Sequence, residues 1–204
     1  MSLPRISLNL FLLLILSLTT IQPLRAQEDI IKQEFSDYYE LIRNQEIDKA
    51  MDYIPEEFFD LFPRETMIAA MKQVFNTPGL EFQFGPLTIT EVSTPSLMEG
   101  KWYAMLNHIG EMDMKVDSPE DSTATEADKQ MYQEIMMNAF EEQFGEGNVS
   151  YNAETQFYHI NALKRAVAIS PNGQTDWKFI VAEKKQLPYL RRILPEKLMD
   201  ELDK

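Results

Sequence analysis

The sequence contains no cysteine, only two histidines and two tryptophans, and seven glycines among its 204 residues. Without a thiol the chain cannot form disulfides, use a cysteine nucleophile or hold a cysteine-ligated zinc ion or iron–sulfur cluster. Its glycines form neither a phosphate-binding loop nor a dinucleotide fingerprint, and no serine stands in a nucleophile elbow. These absences exclude several large classes of enzyme.

Positive charge is also scarce, because 19 Lys and Arg residues stand against 33 Asp and Glu residues, for a formal net charge of -14. Such a surface repels phosphate backbones and anionic lipid headgroups, so neither nucleic acid nor a membrane surface is an expected partner. The content of 44% hydrophobic and 25% charged residues is that of a globular domain, not of a disordered or collagen-like chain.

The N-terminus has the three parts of a secretory signal. Arg5 precedes an apolar run over residues 10–18, and the small residue Ala26 stands at a cleavage point before Gln27. The apolar run is shorter than the ~20 residues needed to span a bilayer. We therefore expect a cleaved signal peptide over residues 1–26 and no membrane anchor afterwards.

Cleavage would leave a single domain over residues 27–204. Because residues 1–26 carry two arginines and no acidic residue, this domain would have 17 basic and 33 acidic residues and a net charge of -16. The Ala-Gln pair at the cut resembles exported proteins of Gram-negative bacteria, which implies a periplasmic or extracellular location.

Helical spacing fills the first third of that domain. Apolar residues recur every three or four positions over residues 28–44, 45–53 and 63–76, and Pro55 and Pro63 separate the segments. We expect the buried positions to be Ile31, Phe35, Tyr38 and Ile42, then Ile47, Ala50 and Met51, then Met67, Ile68, Met71, Val74 and Phe75.

After Gly79 the apolar period changes to two, which predicts strands. A bulge is expected at Gly85, and residues 101–116 form a long strand. Its even-numbered positions are mostly apolar, so we expect that face to meet the helices, gathered on one side of the sheet. Two further extended runs, 156–169 and 175–183, are joined through a turn at Asn172–Gly173.

A helix over residues 125–144 interrupts the strands, with Thr125 as its N-cap. Its expected inner side consists of Met131, Ile135, Ala139 and Phe140. The tail over residues 187–202 returns to helical spacing. Helices followed by antiparallel strands predict an α+β domain.

The order of helices and long strands, with the late strand Trp177-Lys178-Phe179-Ile180, resembles NTF2-like (cystatin-like cone) domains of exported bacterial proteins. The resemblance covers most of residues 28–183. It implies N-terminal helices packed on a curved antiparallel sheet, to which the inserted helix and the C-terminal helical tail are additions.

His108 is the main candidate for chemistry, since a titratable side chain on an apolar strand face is costly to bury without a partner. It is either a packed structural histidine or, at the mouth of a cone cavity, a general base with Asp113, Glu91 or Tyr103 as partner. The residues that we expect to line a pocket are Trp102, Leu106, His108, Met112 and Trp177.

A metal site is not expected. His108 and His159 with a carboxylate would suit zinc or iron, but they have no short ligand spacing. The acidic residues Asp117, Glu120 and Asp121 lack the spacing of a calcium-binding EF-hand loop. No other cofactor is indicated.

Two functions stay open. The first is an exported, non-enzymatic module that binds a hydrophobic small molecule or a partner protein in a cleft between sheet and helices. The alternative is a cofactor-free NTF2-like enzyme, a lyase, isomerase or hydrolase, with His108 or a nearby carboxylate as general base. An enzyme should bring two titratable groups to about 3 Å or to within one bridging water. The sequence does not indicate an oligomeric state.

Overall fold

The computed structural model describes residues 21–117 and 125–203, and side chains from residue 26 onward. N-terminal helices are followed by an open, six-stranded antiparallel sheet, a helix between strands and C-terminal helices. This order confirms the predicted α+β class with its inserted helix and helical tail. The expected signal peptide lies outside the described residues as far as residue 20, and so do Glu120 and Asp121.

The first third of the domain is helical, as predicted. Pro63 directly precedes the last helix of this region, and Pro55 lies between the second and third. The helices are α1 (Ile21–Arg43), α2 (Ile47–Ala50), which continues as a 3-10 turn (Met51–Tyr53), α3 (Glu56–Phe59) and α4 (Arg64–Phe75).

The predicted buried stripe of α4 is wrong in part. No residue of α4 is buried, and Val74 is 47% exposed. The helix lies at the margin of the domain, where the Phe75 ring meets Phe82 and Phe84 of the first strand at 5.9 and 5.8 Å. Because α4 packs at the edge of the sheet, only a narrow stripe of the helix surface is covered. Val74 lies outside this stripe and stays exposed to solvent.

Two long strands, β3 (Lys101–Val116) and β5 (Phe157–Ser170), form the centre of the sheet. On its side away from β5, β3 pairs with β1 (Leu80–Val92) and β2 (Ser96–Met98). On its side away from β3, β5 pairs with β4 (Val149–Asn152) and β6 (Lys178–Val181). The β1–β3 register shifts between Phe84 and Leu87, which places the predicted bulge at Gly85.

Helices cover both faces of the sheet at the start of β3, which corrects the expectation of a single helical face. Leu106, on the even face, is buried in a cluster with Ile31 and Phe35 of α1. Tyr103, on the odd face, is only 5% exposed. It belongs to a cluster with α2, α3 and the C-terminal helices α6 (Leu187–Leu190) and α7 (Glu196–Leu202).

Helix α5 (Glu126–Phe144) begins with the predicted cap, because Thr125 and Asp128 form a reciprocal capping box. Its expected inner side is wrong except for Phe140, since Met131 and Ile135 are 58% and 55% exposed and Ala139 is exposed. The residues that pack on the sheet are Met136, Met137, Phe140 and Phe144. This stripe carries two aromatic rings and therefore removes more apolar area from water than the predicted one.

The connection from β5 to β6 is longer than a tight hairpin. The predicted extended run 175–183 is a strand only over Lys178–Val181, and residues 171–177 form the loop. The hydroxyl oxygen of Ser170 accepts hydrogen bonds from the backbone N–H groups of Asn172 and Gly173 at 3.2 and 3.0 Å. These bonds hold the turn in a compact, irregular form.

Candidate functional site

A cleft opens on the even face of the sheet, where two small residues lie side by side. Gly110 of β3 and Ala162 of β5 are directly opposite each other in the register. Because glycine has no side chain and alanine only a methyl group, the sheet surface is low at this point, and the Tyr39 ring lies against Gly110. The cavity has a volume of about 290 Å³, and its lining comprises Tyr39, Phe84, His108, Gly110, Glu111, Met112, Gln143, Phe144, Ala162, Lys164, Val181 and Glu183.

His108 forms one wall of this cleft and is only 7% exposed. Its ring meets the ring of Phe35 edge-to-face at 4.7 Å, and its Nδ1 atom is buried without a hydrogen-bond partner in the described part of the chain. Burial lowers the pKa of His108 to about 4, and the positive charge of Lys164 acts in the same direction. The imidazole is therefore neutral at pH 7.

Lys164 lies directly opposite His108 in the strand register. Its Nζ atom is 2.7 Å from Oε1 of Glu183 and 5.5 Å from the centre of the Phe144 ring. The lysine side chain is 18% exposed, whereas the Glu183 side chain is 37% exposed. The ion pair and the aromatic face compensate for the partial burial of the ammonium group.

Of the five residues expected to line a pocket, the structure places His108 and Met112 at the cleft. Leu106 and Trp177 are 1% and 0% exposed and belong to the core cluster beneath α1, against which Trp102 also packs. The part of β3 before His108 is covered directly by α1, so those three side chains are packing residues.

None of the three expected partners of His108 fills that role. The carboxylate of Asp113 is 2.9 Å from Nδ1 of His159, Glu91 accepts a hydrogen bond from the Asn107 amide, and Tyr103 lies on the opposite face. His159 pairs with Asp113 in the register, which places the two histidines on opposite faces of the sheet. Residues 21–117 and 125–203 contain no cluster of three or more groups suited to a metal ion.

Sequence reasoning missed Tyr39, Lys164 and Glu183 as cleft residues. The Tyr39 hydroxyl donates a long hydrogen bond of 3.4 Å to the Glu111 carbonyl, and burial raises the pKa of Tyr39. A Cβ atom on Gly110 would lie only 3.1 Å from that hydroxyl. The one signal in the sequence was Lys164, because a lysine is unusual within the apolar run of β5. The sequence does not show that this lysine lies opposite His108, since that depends on the strand register.

A second hollow, of about 400 Å³, lies on the odd face of the sheet, which we call the outer face. Its lining includes side chains of the odd face, namely Asn107, Ile109, Leu163 and Arg165. His108 and Lys164 also border it, but alternation along the strands directs their side chains to the inner cleft. Apart from His108 and Lys164, the described residues that line this outer hollow include no buried titratable side chain, so the inner cleft is the stronger candidate site.

A scan against models of protein families found no match, and neither did searches of curated proteins and of solved structures. The resemblance to NTF2-like domains therefore stays a prediction. Among the helices in the described ranges, none combines the length and hydropathy required to cross a bilayer.

Proposed function

We propose that the protein is an exported, non-enzymatic module that binds a small hydrophobic molecule in the inner cleft. The observation that carries this proposal is the cleft beside Ala162, whose lining combines the apolar side chains of Phe84, Met112, Phe144 and Val181 with polar groups that include His108 and Lys164. Small-ligand sites typically have this composition and volumes of roughly a few hundred Å³. A concave hollow between two helices and a sheet suits a small molecule better than the flat surface of a partner protein.

The pairing of titratable groups supports binding over catalysis. Lys164 and Glu183 are close together, but they form an ion pair in which each group is occupied by the other. A base works best when its pKa lies near the operating pH, and the pKa of His108 is lowered to about 4. The alternative of a cofactor-free lyase, isomerase or hydrolase with His108 as base has less support.

Filling the cleft tests the proposal. We expect Ala162→Leu to abolish binding of an uncharged apolar fluorescent probe such as N-phenyl-1-naphthylamine, because the larger side chain would extend into the cleft that Ala162 lines. The matched control is Ala70→Leu, which places the same side chain at an exposed position of α4. Probe binding is measured by fluorescence titration, and thermal unfolding verifies that both variants are folded. Equal probe affinity in both variants would refute a ligand site in this cleft.

Export is part of the same proposal. We expect mass spectrometry of protein recovered from the periplasm or medium to find a mature chain that begins at Gln27 or within one or two residues of it. The Gln27 side chain donates a hydrogen bond to the Gly173 carbonyl at 2.7 Å, a contact that a chain cut after Ala26 would keep. Recovery of soluble protein that still begins at Met1 would contradict the proposed signal peptide.

A further inference from the structure

The surroundings of His108 determine which of its ring nitrogens carries the proton. Neutral imidazole has one N–H donor and one bare acceptor nitrogen. Nδ1 is buried and has no hydrogen-bond partner among the described residues. A proton at Nδ1 would bury an unpaired donor, and unpaired buried N–H groups are rarer in proteins than acceptors with an unused lone pair. The proton therefore resides on Nε2, and the ring can offer an N–H donor to a molecule in the cleft.

Lys164 and Tyr39 are further donors in the cleft, and the acceptor Glu183 is already paired with Lys164. The Lys164 ammonium has three N–H groups, and its ion pair with Glu183 needs only one of them. The Tyr39 hydroxyl donates only a long hydrogen bond to a backbone carbonyl. A ligand group that accepts hydrogen bonds thus fits this part of the cleft better than one that donates them.

Charge decides between neutral and ionised acceptors. A cation would meet the positive charge of Lys164, which already disfavours the protonated form of His108. A carboxylate would have to compete with Glu183 for that lysine. An uncharged oxygen acceptor avoids both penalties.

We infer that the cleft binds an uncharged, largely apolar molecule whose carbonyl oxygen accepts a hydrogen bond from Nε2–H of His108. This inference rests on the proposed function and adds the chemical class of the ligand. It assigns the apolar part of the molecule to the cleft beside Met112, Phe144 and Ala162, and the carbonyl group to the part of the cleft where His108 and Lys164 face each other.

The test uses three probes of equal chain length: 2-octanone, octanoate and 1-octylamine. Long-range ¹H–¹⁵N correlation spectra of the ¹⁵N-labelled mature chain report the protonated nitrogen of each imidazole. With only two histidines in the sequence, the variant His159→Gln, at a half-exposed position, assigns both signals. We expect the Nε2–H form of His108 at pH 7 in the free protein. Adding 2-octanone should shift the His108 signals and leave those of His159 unchanged, with an affinity about tenfold higher than that of either charged probe.

The possible failures are distinguishable. The Nδ1–H form in the free protein, or ketone binding without a shift at His108, would overturn the inferred hydrogen bond and leave the binding function standing. Tighter binding of octanoate or 1-octylamine would overturn the ligand class. If none of the three probes perturbs the signals of Gly110 or Ala162, the proposed binding function fails, and the ligand class fails with it.

Discussion

Replacing His108 with phenylalanine should remove a large part of the loss of stability that the protein suffers as the pH falls from 7 to 4. The pKa of His108 is about 4 in the folded chain against an ordinary value of 6.5. Between these pH values the unfolded chain takes up a proton that the folded chain does not, so the free energy of unfolding decreases as the pH falls. The full effect is about 3 kcal/mol, and it is reached below pH 4.

Phenylalanine preserves the ring that packs on Phe35 and takes up no proton. The charged and titratable groups that share the cleft, Lys164, Glu183, Tyr39 and Glu111, are present in both proteins, so their contribution largely cancels in the difference. Urea unfolding at pH 7.5, 5.5 and 4.5 measures the effect. The comparison variant His159→Gln removes the other histidine, which lies on the opposite face of the sheet, and shows whether a change in slope is specific to His108.

An unchanged pH slope in His108→Phe would show that His108 does not stay neutral and buried in the folded chain. If the slope decreases as expected, the same variant addresses function. Loss of the Nε2–H donor should weaken 2-octanone binding roughly fivefold, the equivalent of one neutral hydrogen bond. His108→Gln restores an N–H donor and should recover part of that affinity. His108 would then lower the free energy of unfolding at acid pH and raise the affinity for the ligand. Such a residue serves binding rather than the fold.

Local patterns in the sequence predicted much of the fold. The period of two over residues 101–116 matches β3 residue for residue, and the Thr125 cap matches the start of α5. The orientation of α5 was not predictable in the same way, because several stripes on that helix contain apolar residues and the choice between them depends on the sheet beneath. Coverage of both sheet faces likewise depends on the path of the C-terminal tail.

The candidate site was predicted only in part, for a related reason. His108 stands out because alternation along one strand places it among apolar residues. Its neighbours come from three other elements: Tyr39 from α1, Lys164 from β5 and Glu183 from the segment after β6. Strand register and helix placement bring these residues together, and neither is encoded in a local pattern. The small pair Gly110 and Ala162, where the sheet surface is low, becomes visible only when β3 is aligned with β5.

Gly173→Ala should destabilise the protein markedly more than Gly100→Ala, although both glycines have a positive φ, of 71° and 83°. The backbone strain of an alanine at such an angle is similar at both positions, on the order of 1 kcal/mol. A Cβ atom on Gly100 would meet nothing within 4 Å, whereas one on Gly173 would lie 2.6 Å from Cδ2 of Trp102. This overlap should add about 1–3 kcal/mol to the loss at Gly173.

Urea unfolding at pH 7.5 of wild type, Gly173→Ala and Gly100→Ala measures the difference. A double-mutant cycle with Trp102→Ala isolates its cause, since removal of the indole ring removes the overlap. In that background Gly173→Ala should cost no more than Gly100→Ala does in the wild type. Equal losses for the two glycine variants in the wild type would mean that the Trp102 ring moves aside freely, and that the loop over residues 171–177 is not packed against it. The Gly173 carbonyl also accepts the hydrogen bond from Gln27, so displacement of this loop would loosen its contact with α1 as well.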